Sequence, residues 1–306
     1  MAGKNAGAAG GDIGKDGTWK PSAETAARAK KLRIVAVSLW VLGIVIEIGA
    51  IFGLLLNSSI LSERSSVNDR GVLEVSEGFP TWAFVLLIVL LVLDGIVVAI
   101  GSILWKKANQ LDPASREDGF RFFVQNQLGA FIPIIAFLPI IVLIFLNKDM
   151  DKTQKGVAGA VGIVVALVAA VIGVDFDPSS VEEYTADRQA VVQLLGEDNV
   201  YWAGGGEVYH VCGDVPDLSD SEVSSGTTED AINAGKPRLT LKLESELNAC
   251  GRAVPNNIDD IVAAIQAVRD GSTTEQVLPS PDWTGVENAP SGGALDSLQD
   301  ALDDAS

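Results

Sequence analysis

Two carboxylates stand where a chain tolerates them least. Glu47 lies in the apolar run from Ile34 to Leu56 and Asp94 in the run from Trp82 to Trp105, and neither run holds a lysine, arginine or histidine. Near the centre of a bilayer a carboxylate costs several kcal/mol unless it is protonated, paired or hydrated. At about 1.5 Å per residue from a cytoplasmic start, Glu47 is roughly 20 Å along the first helix and Asp94 roughly 16 Å from the same end of the second. The two can therefore meet at similar depth. Facing each other they would share a proton, the arrangement of a proton relay or a cation site. Apart, each would be neutral and hydrogen-bonded to a neighbouring helix as packing glue. Both readings stand at this stage.

The second group is His210, Cys212 and Cys250. His210 and Cys212 alternate along a strand and so share a face, and Cys250 follows 38 residues later. As metal ligands they make only three, without a paired Cys-x-x-Cys, so a structural zinc would need a carboxylate such as Asp214. A Cys212–Cys250 disulfide would stabilise by roughly 4 kcal/mol in the chain-entropy model, provided that the compartment is oxidising. In a reducing compartment both would be buried thiols. Gly204-Gly205-Gly206 lacks the Lys-Ser/Thr of a phosphate loop and reads as a turn. Asp214, Asp217, Asp220 and Glu222 read as a solvated acidic loop more than as a calcium cage. No catalytic motif is found, no cofactor is expected, and the chain is not expected to be an enzyme.

Four apolar runs would position these residues: 34–56, 82–105, 127–146 and 157–174, each judged against the roughly 20 residues needed to cross a hydrocarbon core. Trp40, Trp82 and Trp105 lie in or near the ends of runs, where an indole suits the headgroup layer. Pro133 and Pro139 should kink the third run and free carbonyls that neighbours must satisfy. Gly156, Gly159, Gly162 and Ala166 give the fourth run the spacing of close helix packing. Arg28, Lys30, Lys31 and Arg33 precede the first run and hold the N-terminus in the cytoplasm. Residues 1–30 read as a disordered tail, 31–176 as the transmembrane domain, 177–270 as a small acidic domain and 271–306 as a disordered acidic tail.

Within 177–270, Ser180 with Glu183 and Thr227 with Asp230 have helix-capping spacing. Val200–Trp202 and Val208–Val211 flank the glycines as a β-hairpin, Leu239, Leu241 and Leu243 alternate as a strand, and Ile258–Val268 reads as a last amphipathic helix. The expected fold class is an α-helical membrane protein of about four transmembrane helices followed by a small α+β domain with a β-hairpin.

The charge balance follows this division. The 306 residues have a net charge of -18 and are 48% hydrophobic, and their mean hydropathy is +0.29. Residues 179–306 hold 6 basic and 24 acidic side chains, a charge of -18, while the two parts before them cancel at +4 and -4. Such a chain has no cationic face for nucleic acid. The expected partners are the lipid bilayer and a protein bound through the acidic domain.

Val200-Tyr201-Trp202, Val208 to Cys212, Gly226 to Ala231, Ala234 to Thr240 and Ala249-Cys250-Gly251, with Asn126 to Gly129 and Phe137-Leu138-Pro139, resemble a group of actinobacterial integral membrane proteins of uncharacterised function. In that group a small domain follows several membrane helices, and His-x-Cys and a later Cys-Gly recur. The resemblance implies the same architecture and brings no activity. The function expected is a multi-pass plasma-membrane protein acting as a structural, interaction or envelope-associated module. The competing class is a small transporter or proton/cation-coupled subunit using Glu47 and Asp94. Four crossings put the acidic domain on the side of the N-terminus. Lys148, Lys152 and Lys155 favour the reverse locally, and a re-entrant third segment broken at its prolines would move the domain across.

Overall fold

The computed structural model describes residues 12–13, 18–67, 73–274 and 278–290, and among them the chain forms two compact units. One is built from 31–106 and 126–176, the other from 1–30, 107–125 and 177–306.

After two short paired strands, β1 (Asp12–Ile13) and β2 (Trp19–Lys20), come four long helices. They are α1 (Ala23–Ala50), α2 (Thr81–Leu111), α3 (Gly119–Leu146) and α4 (Lys152–Gly173), all long and apolar enough to cross a membrane. Each is longer than its apolar run, because polar flanks such as Lys106 to Leu111 continue the helical hydrogen bonding beyond the hydrocarbon. A π-helical turn, Ile51–Leu55, extends α1, and its Leu55 carbonyl accepts from Asn147 Nδ2 at 2.8 Å. Between α1 and α2 runs an antiparallel ladder of β3 (Ser62–Val67) and β4 (Leu73–Gly78), which no sequence expectation covered. At α4 the Asp151 side chain accepts from Gln154 N while the Gln154 side chain accepts from Asp151 N, a reciprocal cap.

The bundle packs through glycines. A methyl group added at Gly173 of α4 would stand 1.9 Å from the Gly129 carbonyl oxygen of α3, so these backbones touch. Gly159 lies against Phe145 and Gly162 against Ile141, as the spacing in α4 implied, whereas Gly156 has open space. Trp40 does not face outward. It is buried beside Gly101 and packs on Trp105 with ring centroids 5.2 Å apart.

The acidic unit is centred on α5 (Val181–Leu195), which is capped by Ser180 and buried on nearly every side, Glu182, Glu183 and Asp187 included. Around it lie β5 (Val200–Ala203), β6 (Val208–Tyr209), β7 (Val223–Gly226), α6 (Thr228–Asn233), β8 (Arg238–Leu239), α7 (Leu243–Ala249) and α8 (Ile258–Arg269). The expected hairpin is present as one antiparallel bridge, Tyr201 to His210; β5 takes β7 as its ladder partner and β6 pairs in parallel with β8. The strand expected through Leu243 stops at Leu239, because α7 begins there and turns Leu243 into the core. Ser180 and Thr227 both cap their helices, and Gly235, two residues beyond the end of α6, has φ 82°.

Two expectations of disorder are corrected. Trp19 is buried, edge-on to Tyr184 at 4.9 Å, and its amide donates to Thr185 Oγ1 at 2.9 Å, so the N-terminal segment is ordered well before residue 30. Leu278 belongs to the core of the acidic unit, which brings part of the presumed tail inside. Residues 1–11 and 291–306, with the Leu295, Leu298 and Leu302 pattern, lie outside the described residues. α3 runs as one helix through both prolines and is long and apolar enough to cross a membrane. The segments before α1, between α2 and α3 and after α4 form a single unit, as four full spans require if these segments share a side.

Candidate functional site

Glu47 lies on the same face of α1 as Gly43, one turn away. Asp94 of α2 fits against Gly43: a methyl group there would stand 2.7 Å from Asp94 Oδ1. Asp94 and Glu47 thus both lie at the α1–α2 contact, each beside or one turn from Gly43. Their hydrogen bonding differs. Glu47 Oε1 accepts from the backbone N–H of Ile140 at 3.2 Å, next to Pro139, while Asp94 Oδ1 is buried without a partner.

A parallel arrangement serves the other proline. Pro133 has no N–H to donate to the Gly129 carbonyl four residues back. Ser102 Oγ of α2 donates to that carbonyl instead, at 2.9 Å. Each proline in α3 thus has a polar side chain from a neighbouring helix beside it, Ser102 on the carbonyl that Pro133 leaves free and Glu47 on the N–H of Ile140. Composition did not reveal Ser102; the signal was the residue four before Pro133, whose carbonyl had to find a donor.

Cys212 and Cys250 are joined by a disulfide, with Cα atoms 6.0 Å apart. His210 Nδ1 is 2.7 Å from Glu246 Oε1, both side chains are buried, and Glu246 Oε2 accepts from Val211 N at 3.1 Å. With both sulfurs in the disulfide and the ring facing a carboxylate of α7, the three residues do not form a metal-ligand set. Among the described residues no group of three or more His, Cys, Asp or Glu is placed to hold a metal ion. Asp217 of the acidic loop pairs with Lys242 at 2.7 Å.

The network around α5 was not anticipated. Asp187 holds Arg269 Nη2 at 2.8 Å and accepts from Leu239 N at 2.9 Å; Glu183 pairs with Arg238 Nε at 3.0 Å. Burial first, and the neighbouring Asp187 second, push the Glu183 carboxyl from 4.5 up to about 7 despite the two arginines. Arg116, from the α2–α3 connection, donates to the last carbonyls of α8, Val268 at 2.9 Å and Arg269 at 2.7 Å, and its amide donates to Glu182. Lys236 is buried with Nζ donating to the carbonyls of Gly204, Gly205 and Gly206 at 3.0, 3.0 and 2.6 Å. The triple glycine is therefore a turn closed over an ammonium.

No family model, curated protein or solved structure matches this chain.

Proposed function

We propose that this chain is a multi-pass plasma-membrane protein whose acidic domain docks a cationic protein partner. The observation that carries the reading is where the few basic side chains of 179–306 go. Of the six, Arg188, Arg238, Lys242 and Arg269 are ion-paired within the unit and Lys236 is enclosed by carbonyls, which leaves Arg252. Asp220, Glu222, Asp259 and Asp260 are exposed. The surface is therefore acidic with little internal compensation, and such a field steers a basic partner. The reading places the chain with the actinobacterial membrane proteins it resembles and assigns no catalysis.

The test compares full-length wild type with D220N/E222Q/D259N/D260N, both cross-linked in native membranes after equal thermal stability is confirmed. A partner bearing a basic segment should be captured by the wild type, and its recovery should fall about tenfold in the variant, each exposed charge contributing a few tenths of a kcal/mol. It should also fall at high salt. Recovery of the same partners by both proteins would reject the reading.

A further inference from the structure

Between α1 and α3 the bundle carries a groove of about 260 Å³ walled by Ile44, Ile48, Ile132, Ile135 and Pro139, with Glu47 as its ionisable lining residue. Ile44, Ile48 and Ile135 are exposed in helices that span the apolar layer, so the groove opens toward lipid tails and not toward water. Its volume lies below the roughly 300–1,000 Å³ of pockets that enclose a drug-sized molecule, which suits the end of a chain entering from the bilayer.

At the floor the hydrogen bonding is incomplete. Glu47 is 5% exposed and its Oε1 takes the Ile140 N–H. Across the α1–α2 contact, Asp94 is 2% exposed, lies against Gly43 one turn from Glu47, and has an Oδ1 without a hydrogen-bond partner among the described residues. None of the four apolar runs supplies a lysine, arginine or histidine. Two carboxyl groups without a countercharge call for a cation, and the opening decides which kind. A bare inorganic ion crossing hydrocarbon faces a solvation penalty of tens of kcal/mol in the Born limit, whereas an amine carried on an apolar chain partitions into the bilayer and arrives from the side.

We propose that this groove binds a long-chain aliphatic amine, its ammonium group set against the Glu47 carboxyl and its methylenes along the isoleucine walls. Asp94 supplies a second negative charge one helical turn away. The site goes beyond the docking function of the acidic domain and does not depend on it.

The test uses the full chain in lipid nanodiscs with radiolabelled dodecylamine, and dodecanol as the neutral molecule of equal chain length, empty discs being subtracted. Wild type should bind dodecylamine saturably and at least tenfold more tightly than dodecanol. Glu47→Gln keeps a carbonyl oxygen for the Ile140 N–H and so preserves the α3 contact; it should lose at least tenfold in dodecylamine affinity while dodecanol is unchanged. Asp94→Asn should lose less. Ile135→Trp, which narrows the groove and leaves both carboxyls in place, should weaken both ligands and keeps the site testable if the Glu47 variant fails to fold. Equal affinity of wild type for the two molecules, or an equal loss of both in Glu47→Gln, would overturn the proposal.

Discussion

In the bundle, Glu47 and Asp94 are buried with no basic residue in any of the four apolar runs, whereas in the acidic unit Glu183 and Asp187 are buried against Arg238 and Arg269. The same side-chain chemistry serves different ends in the two regions. In the bundle the polar groups meet backbone: Ser102 takes up the carbonyl that Pro133 leaves free, and Glu47 accepts from the Ile140 N–H. Hydrocarbon offers no water to satisfy such groups, so a neighbouring helix must. In the acidic unit the carboxylates hold elements together, α5 to β8 and to α8, and arginines balance them. A buried carboxylate is therefore not by itself a sign of one function; its partners say what it does.

Removing an arginine should break the contrast most sharply. Arg269→Met leaves Asp187 buried without its cation and should destabilise the acidic unit by about 3–5 kcal/mol in chemical denaturation, since a deserted buried charge costs more than the pair was worth. Glu183 offers a second route. Its carboxyl is raised to about 7 in the folded chain against 4.5 unperturbed, so its protonated form favours folding. That contribution is complete below about pH 4.5 and is lost as pH rises through about 7, roughly 3 kcal/mol in all. Glu183→Gln should flatten the stability profile across that window relative to wild type; an unchanged slope would show that another group titrates there.

In the bundle, Gly173→Ala forces a methyl into the Gly129 backbone and should cost about 1–3 kcal/mol in detergent-resistant folding. Gly49→Ala, with nothing within 4 Å, is the control and should have little effect. Ser102→Ala should cost about 1 kcal/mol by orphaning the Gly129 carbonyl. The smallest change is expected from Glu47→Gln, under about 1 kcal/mol in thermal stability, because the amide oxygen still accepts from Ile140. A loss of several kcal/mol there would mean that the charge of Glu47 is itself structural and would erase the difference between the two regions.

How far the chain was legible depends on the range of each signal. Helix existence was plain in four runs, since about 20 apolar residues in sequence are a local fact. The caps at Ser180 and Thr227 were legible for the same reason, spanning three residues each. The β5–β7 ladder was not: Tyr201 and His210 do bridge across the glycine turn, but β5 finds its ladder partner more than 20 residues on, where sequence proximity favours the nearer strand. The possible meeting of Glu47 and Asp94 followed from counting residues, yet the Gly43 notch that admits Asp94 did not, because nothing in the run distinguishes Gly43 from the outward-facing Gly49.

By itself the sequence determined four apolar spans, the concentration of the entire net charge of -18 in residues 179–306 and the two carboxyls inside apolar runs. These are matters of composition and spacing along the chain. Only the tertiary structure decided that Cys212 and Cys250 bond to each other, that His210 faces Glu246, and that Trp19 and Arg116 enter the acidic unit through partners 166 and 152 residues away. The physical reason is that a contact across such a separation is chosen by the joint packing of every element around α5, and no local pattern of residues encodes that choice.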